Sequence, residues 1–179
     1  MTIDDKTIIQ AIREKSEAGF RLLMLKYKQP IYWHIRRLVV AHDDAQDATQ
    51  EAFIRIFKSF DKFRDENSFR GWIFRIATNE ALRLIESRRQ ENVSLEADGN
   101  GANRIMAENY VDYTDVEAVK LQKAIQTLPP KQQAAFNLRY YDELSYEEIA
   151  EATGSTASSI KMSYHIAKEK IIKYMNLND

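Results

Sequence analysis

The sequence predicts an all-α protein of two helical domains joined by a flexible linker, and three observations carry that prediction. Apolar residues recur at three- and four-residue spacings through most of the chain, only five Gly and three Pro interrupt 179 residues, and no segment alternates at the two-residue period of a strand. With 44% hydrophobic and 30% charged residues, the chain can bury one modest core or two small ones.

A first helix is expected from near Asp5. A second follows Ser16 and carries Phe20, Leu23, Met24 and Tyr27 on one face as far as Pro30. A kink or restart is expected at Pro30, because proline lacks an amide proton and clashes with the preceding turn. Ile31 to Val40 reads as a third amphipathic segment, and the turn Ala41-His42-Asp43-Asp44 offers two aspartates, either able to cap a helix running to about Lys58. After the turn Asp61 to Ser68, the spacing of Phe69, Trp72, Ile73, Ile76, Leu84 and Ile85 predicts a helix to about Arg89, with Trp72 and Ile76 in the core. The first domain spans residues 1–90.

Residues 91–115 change character. Glu91, Glu96, Asp98, Glu108, Asp112 and Asp115 stand against Arg104, with Gly99-Asn100-Gly101 among them, which reads as an acidic linker. In the second domain, residues 116–179, Pro129-Pro130 ends one helix and opens another. Ser145 and Glu148 form an S-x-x-E capping box, Gly154 supplies a turn, and Ser155 or Thr156 caps a further helix through about Tyr174. Ala150 permits close packing, and Ile149 and Ile160 point inward. This is helix-turn-helix spacing.

Several classes are excluded by what is missing. Without cysteine there are no disulfides or thiolate metal sites, and a reducing compartment such as the cytoplasm fits. Met1 to Gln10 is charged within six residues, and no apolar run approaches the roughly 20 residues that span a bilayer, so no membrane insertion is expected. His34, His42 and His165 are scattered, and neither an H-E-x-x-H motif nor a phosphate-cradling glycine loop is present. No catalytic residue, metal or cofactor is therefore assigned, and His34 is expected at the edge of the core. A formal net charge of -1 argues against holding duplex DNA alone, because phosphate neutralisation supplies most such affinity.

Three surfaces carry functional signals. If the helix pair reads DNA, its second helix presents Ser158, Ser159, Lys161, Met162 and His165 to the major groove; the plain alternative is a structural helical hairpin. Asp47, Gln50 and Glu51, at i, i+3 and i+4, share an exposed face opposite Ala45, Ala48, Ala52 and Ile56. That face either binds a basic partner through charge-assisted hydrogen bonds or is simply solvated. Arg55, Lys58, Lys62, Arg64, Arg70, Arg75, Arg83, Arg88 and Arg89 lie among Phe57, Phe60, Phe63, Phe69, Trp72 and Phe74, a mixture that suits single-stranded DNA. Arg75 and Asn79 are the stronger DNA candidates there.

Asp44-Ala-Gln-Asp-Ala-Thr-Gln-Glu-Ala-Phe-Ile-Arg-Ile-Phe57 resembles region two of extracytoplasmic function (ECF) sigma factors. Phe60-Asp-Lys-Phe-Arg64 with Ser68-Phe-Arg-Gly-Trp-Ile-Phe-Arg-Ile-Ala-Thr-Asn79 resembles their promoter-melting segment. Leu128-Pro-Pro-Lys-Gln132 with Leu138-Arg-Tyr-Tyr141 resembles the opening of region four. The resemblance implies a transcription initiation factor that binds core RNA polymerase at its clamp and flap, with Asp47, Gln50 and Glu51 on the clamp. It implies that Arg64, Asn67, Ser68, Arg75, Asn79 and Arg83 read the melted downstream promoter element, while Ser158, Ser159, Lys161, Met162 and His165 read the upstream duplex. It also implies control by an anti-sigma protein. Thr153 and Ser155 flank the turn glycine where the family is usually apolar, and Ser163 and Ile166 stand where it is usually basic. The competing reading is a stand-alone helix-turn-helix regulator that dimerises on palindromic DNA.

Overall fold

The computed structural model describes residues 2–15, 17–64, 68–95 (side chains to 91) and 115–177. Among these, eight α-helices form, α1 (Asp5–Arg13), α2 (Glu17–Val39), α3 (His42–Ser59), α4 (Phe69–Leu95), α5 (Val116–Gln126), α6 (Pro130–Tyr140), α7 (Tyr146–Thr153) and α8 (Ala157–Leu177), with a 3₁₀ turn at Phe60–Lys62 and no strand. The all-helical expectation holds.

Helices α1 to α4 pack as a four-helix unit. Gly19 of α2 lies so close to α1 that a Cβ there would sit 2.5 Å from the Ile12 backbone nitrogen, so only glycine permits this crossing. Pro30 does not break the second helix. It sits on the exposed side of α2, where water can satisfy the freed carbonyl, while Leu23, Tyr27, Ile31 and Ile35 stay buried on one continuous face. The two segments expected on either side of Pro30 are one helix.

Neither Asp43 nor Asp44 caps α3. Ala41 holds the N-cap position, and both aspartates fall in the first turn, where negative charge favours the helix amino terminus. Asp44 instead accepts two hydrogen bonds from the Arg88 guanidinium, at 2.7 and 3.2 Å, tying α3 to α4. Helix α4 continues to Leu95, past the boundary expected after residue 90.

In the C-terminal half, Pro130 occupies the first turn of α6, where its missing N–H costs nothing. Ser145 and Glu148 make the capping box of α7, with Glu148 N donating to Ser145 Oγ at 3.1 Å and Ser145 N donating to Glu148 Oε1 at 3.0 Å. Gly154 ends α7 in the left-handed region at φ 69°. Of the two cap candidates for α8, it is the Thr156 hydroxyl that accepts, from Ser159 N at 3.2 Å.

One apolar core crosses between the halves. Ile8, Leu23, Ile31, Ile56, Ile73, Phe74 and Ala77 belong to the same buried cluster as Ala134, Leu138, Leu144, Ile149, Ala152 and Ile160. A smaller cluster of Ala124, Ile125, Leu128, Phe136, Ala167 and Ile171 closes α5, α6 and α8 on themselves. The C-terminal half thus has a core of its own, while α6 and α7 also cover α2 and α4.

His34 lies at the seam between the halves, fully buried and deeper than the core edge expected for it. Its Nε2 is 2.8 Å from the Thr78 hydroxyl, and its ring meets Phe74 edge-on. Burial, helped by Arg37, pushes its pKa down to about 3, so it is neutral and its 3.8 Å approach to Asp142 is not an ion pair. Burial pushes Asp142 up to about 6, against the opposing charges of Arg37 and Arg70.

Candidate nucleic-acid interface

The acidic stripe is built as its spacing requires. Ala45, Ala48, Ala52 and Ile56 of α3 are buried against the unit, and the helical period leaves Asp47, Gln50 and Glu51 exposed on the outer face. Small alanines bring α3 close to its neighbours, which fixes the direction of the stripe.

The downstream candidates divide by environment. Arg75 and Asn79 are exposed on α4, one turn apart, and Arg64 is exposed just after the 3₁₀ turn. Asn67 lies outside the described residues. Asn79 and Arg83 share a cleft of about 180 Å³ with Arg55, Ser59, Ile76 and Glu80. Glu80 was not singled out from sequence. Its nearly buried carboxylate accepts from Arg83 Nη1 at 2.7 Å and pairs with Arg55, so both guanidiniums are held beside Asn79. Its i, i+3 spacing to Arg83 was the available signal.

Ser68 sits at the amino-terminal end of α4, its hydroxyl accepting from Gly71 N at 3.1 Å. It also faces α7, with its backbone N–H donating to Glu151 Oε2 at 2.9 Å and its hydroxyl lying 3.4 Å from Glu148 Oε2. Of the aromatic set, Phe63, Phe69 and Phe74 are buried, and Phe60 and Trp72 are half-buried against them. Phe63 meets Phe69 at 5.2 Å and Trp72 at 5.4 Å between ring centroids, so these rings shape the support beneath the cations.

On α8, Ile160, Ala167 and Ile171 are buried, and Ser158, Ser159, Lys161, Met162 and His165 are all exposed. Ser158, Lys161, Met162 and His165 follow i, i+3, i+4, i+7 spacing and form one stripe. Met162 is 67% exposed, suited to apolar contact with a thymine methyl, and His165 is 3.2 Å from Glu169. Among the described residues no three His, Asp or Glu side chains gather to hold a metal ion, and no helix is long and apolar enough to cross a membrane.

Fold and surfaces together define an all-helical protein in which a helix-turn-helix follows, and packs on, a four-helix unit with a cationic cleft. Sigma-70 region 2 matches residues 23–91, and Sigma-70, region 4 matches residues 118–171. The chain is 28% identical to the RNA polymerase sigma-H factor of Pseudomonas aeruginosa, over 94% of this chain and 92% of that one. It is 27% identical to the ECF RNA polymerase sigma-E factor of Escherichia coli, over 94% and 93%. CnrH, solved in complex with the cytosolic domain of CnrY, superposes with TM-score 0.75 at 15% identity, covering 98% of this chain and 99% of that chain. The sigma factor RpoE from Bartonella quintana, solved in complex with the anti-sigma factor NepR, superposes with TM-score 0.69 at 20% identity, covering 89% and 98%. The chain belongs to the sigma-70 family of RNA polymerase sigma factors, in its extracytoplasmic function type.

Proposed function

We propose a division of promoter-specific initiation among three surfaces of this chain. Residues 1–90 form the unit that docks on the clamp of core RNA polymerase through Asp47, Gln50 and Glu51, and that holds the separated downstream strand. Arg64, Asn67, Ser68, Arg75, Asn79 and Arg83 are its strand-reading residues. Residues 116–179 dock near the flap and read the upstream duplex through Ser158, Ser159, Lys161, Met162 and His165, with residues 91–115 as the connection. The chain works in the cytoplasm with the polymerase, which supplies the nucleotide chemistry. An anti-sigma protein holds it until a signal arrives, a reading supported by the structurally similar sigma factor RpoE, solved in complex with the anti-sigma factor NepR.

The mechanism is differential binding. Asn79 offers a short amide to the pairing edge of an unstacked base, while Arg75 and Arg83 neutralise phosphates, so the melted state gains contacts the duplex cannot make. On α8 the hydroxyls, Lys161 and Met162 match the mixture of phosphate and base-edge contacts of a major-groove helix.

The observation that carries this reading is the simultaneous exposure of the α3 acidic stripe and the α8 stripe on a chain of net charge -1. It is tested by mobility shift on promoter fragments with and without core polymerase. Retention that requires core polymerase supports the reading. Tight polymerase-independent binding to palindromic duplex contradicts it and favours a stand-alone regulator.

A further inference from the structure

The second helix of the helix-turn-helix, α8, is fixed in its rotational setting. Ile160, Ala167 and Ile171 are buried, the Tyr164 ring stacks on Phe136 with centroids 5.3 Å apart, and the Thr156 hydroxyl caps the first turn. That setting turns two large apolar side chains outward. Met162 is 67% exposed, and Ile166, one turn further on, is 43% exposed. Neither packs against the buried clusters of the described residues.

The two side chains are chemically narrow. Ile166 can neither hydrogen-bond nor pair with a phosphate, and Met162 offers only a weak acceptor. His165, between them in sequence, has its Nε2 3.2 Å from Glu169 Oε1, which sets a carboxylate rather than a further cation at this level of the helix. Against the edge of a guanine or cytosine, both side chains would strip water from polar atoms and return no hydrogen bond. In the major groove only thymine presents an apolar feature, its C5-methyl group. The Cβ atoms of an i, i+4 pair lie about 5–6 Å apart and successive base pairs rise about 3.4 Å, so one pair of side chains reaches methyls one or two steps apart.

Taking α8 as the upstream duplex reader, on which this rests, we infer that Met162 and Ile166 form a methyl-reading pair. The upstream element of this factor therefore carries two thymines within two base-pair steps of each other, recognised by apolar contact. Ile166 joins the α8 stripe as a specificity-determining residue. Methyl contacts release no counterions, so the discrimination they give persists as salt rises, while overall affinity falls with the phosphate contacts.

Deoxyuridine differs from deoxythymidine by the C5-methyl alone, which isolates the contact. Holoenzyme assembled from core polymerase and the full chain selects duplexes from a promoter pool randomised upstream and downstream. The enriched upstream element is then resynthesised with deoxyuridine at each thymine in turn and competed against the labelled parent duplex. Two of these replacements should each weaken binding about fourfold, the effect of burying one methyl-sized group. Ile166→Ala should abolish the penalty at one of the two positions and keep it at the other, and Met162→Ala should do the reverse. Ile166→Arg should lose the same discrimination and steepen the salt dependence of binding by about one ion. Both positions are exposed, and urea denaturation checks that the variants are folded; the deoxyuridine comparison on the unsubstituted chain needs no variant. An enriched element without such a thymine pair, equal affinity for the thymine and uracil duplexes, or an unchanged penalty in both folded alanine variants would overturn the methyl-reading pair. Selection that enriches no upstream element would overturn the duplex-reading role of α8, and the pair with it.

Discussion

Reversing the charge of Glu51 separates binding from folding on one residue. Glu51 is exposed on α3, four residues after Asp47 and four before Arg55. A lysine at 51 removes a favourable i, i+4 pairing with Arg55 and creates a like-charge pair, each change worth about 0.2–0.5 kcal/mol, but it gains a similar pairing with Asp47. Arg55 is moreover already held by Glu80, which weakens the unfavourable part. The net change in folding stability should therefore stay within about 0.5 kcal/mol, as for most surface substitutions. Association with core polymerase should instead lose about 2–5 kcal/mol, or roughly 30- to several thousand-fold in Kd, because a hydrogen-bonded carboxylate becomes a repelling cation against a basic partner. Titration of labelled core polymerase, alongside urea denaturation, reads both quantities. A folded Glu51→Lys variant that binds core polymerase with unchanged affinity would refute the assignment of this face.

Three further outcomes follow from the same geometry. Asn79→Ala should weaken downstream strand opening by about tenfold, read by permanganate reactivity, while upstream duplex protection persists, since loss of a hydrogen bond to an unstacked base costs about 1–2 kcal/mol. Gly154→Ala should destabilise the fold by about 1–2 kcal/mol in urea denaturation, because nothing lies within 4 Å of the added Cβ and only the left-handed backbone at φ 69° resists it. Asp142→Asn should make stability more sensitive to acid. His34, depressed to about 3, loses stability as pH falls below its ordinary 6.5, whereas Asp142, raised to about 6, gains stability as pH falls from there toward its ordinary 3.8. Between these limits the two offset each other, so removing the carboxyl should leave the His34 slope of at most about 1.4 kcal/mol per pH unit, measured by denaturation at stepped pH; parallel curves for variant and unsubstituted chain would contradict this.

Much of the local structure was legible because its causes are local. The three- and four-residue spacing placed buried residues of α2, α3 and α4, the Ser145 and Glu148 box and Gly154 marked the turn of the helix pair, and the alanines of α3 turned its acidic stripe outward. What escaped depends on what covers each face. Pro30 reads as a break until both flanks are seen to share one core, and Asp44 reads as a cap until Arg88 arrives from α4. Glu148 reads as a capping residue alone and Glu151 as ordinary helix surface, although both meet Ser68, more than 75 residues away in sequence. Gly71 has no separate role in the sequence reading, yet it lets α7 approach α4 closely, since a Cβ there would lie 3.1 Å from Glu148 O. Hydrophobic periodicity identifies an apolar face and leaves its partner open.

Transcription from a promoter library by purified core polymerase, with and without this chain, tests the central claim most directly. A selective set of new transcripts, sharing an upstream duplex element and a downstream melted element, is the predicted result. Folded protein that neither binds core polymerase nor changes the transcripts would contradict the account.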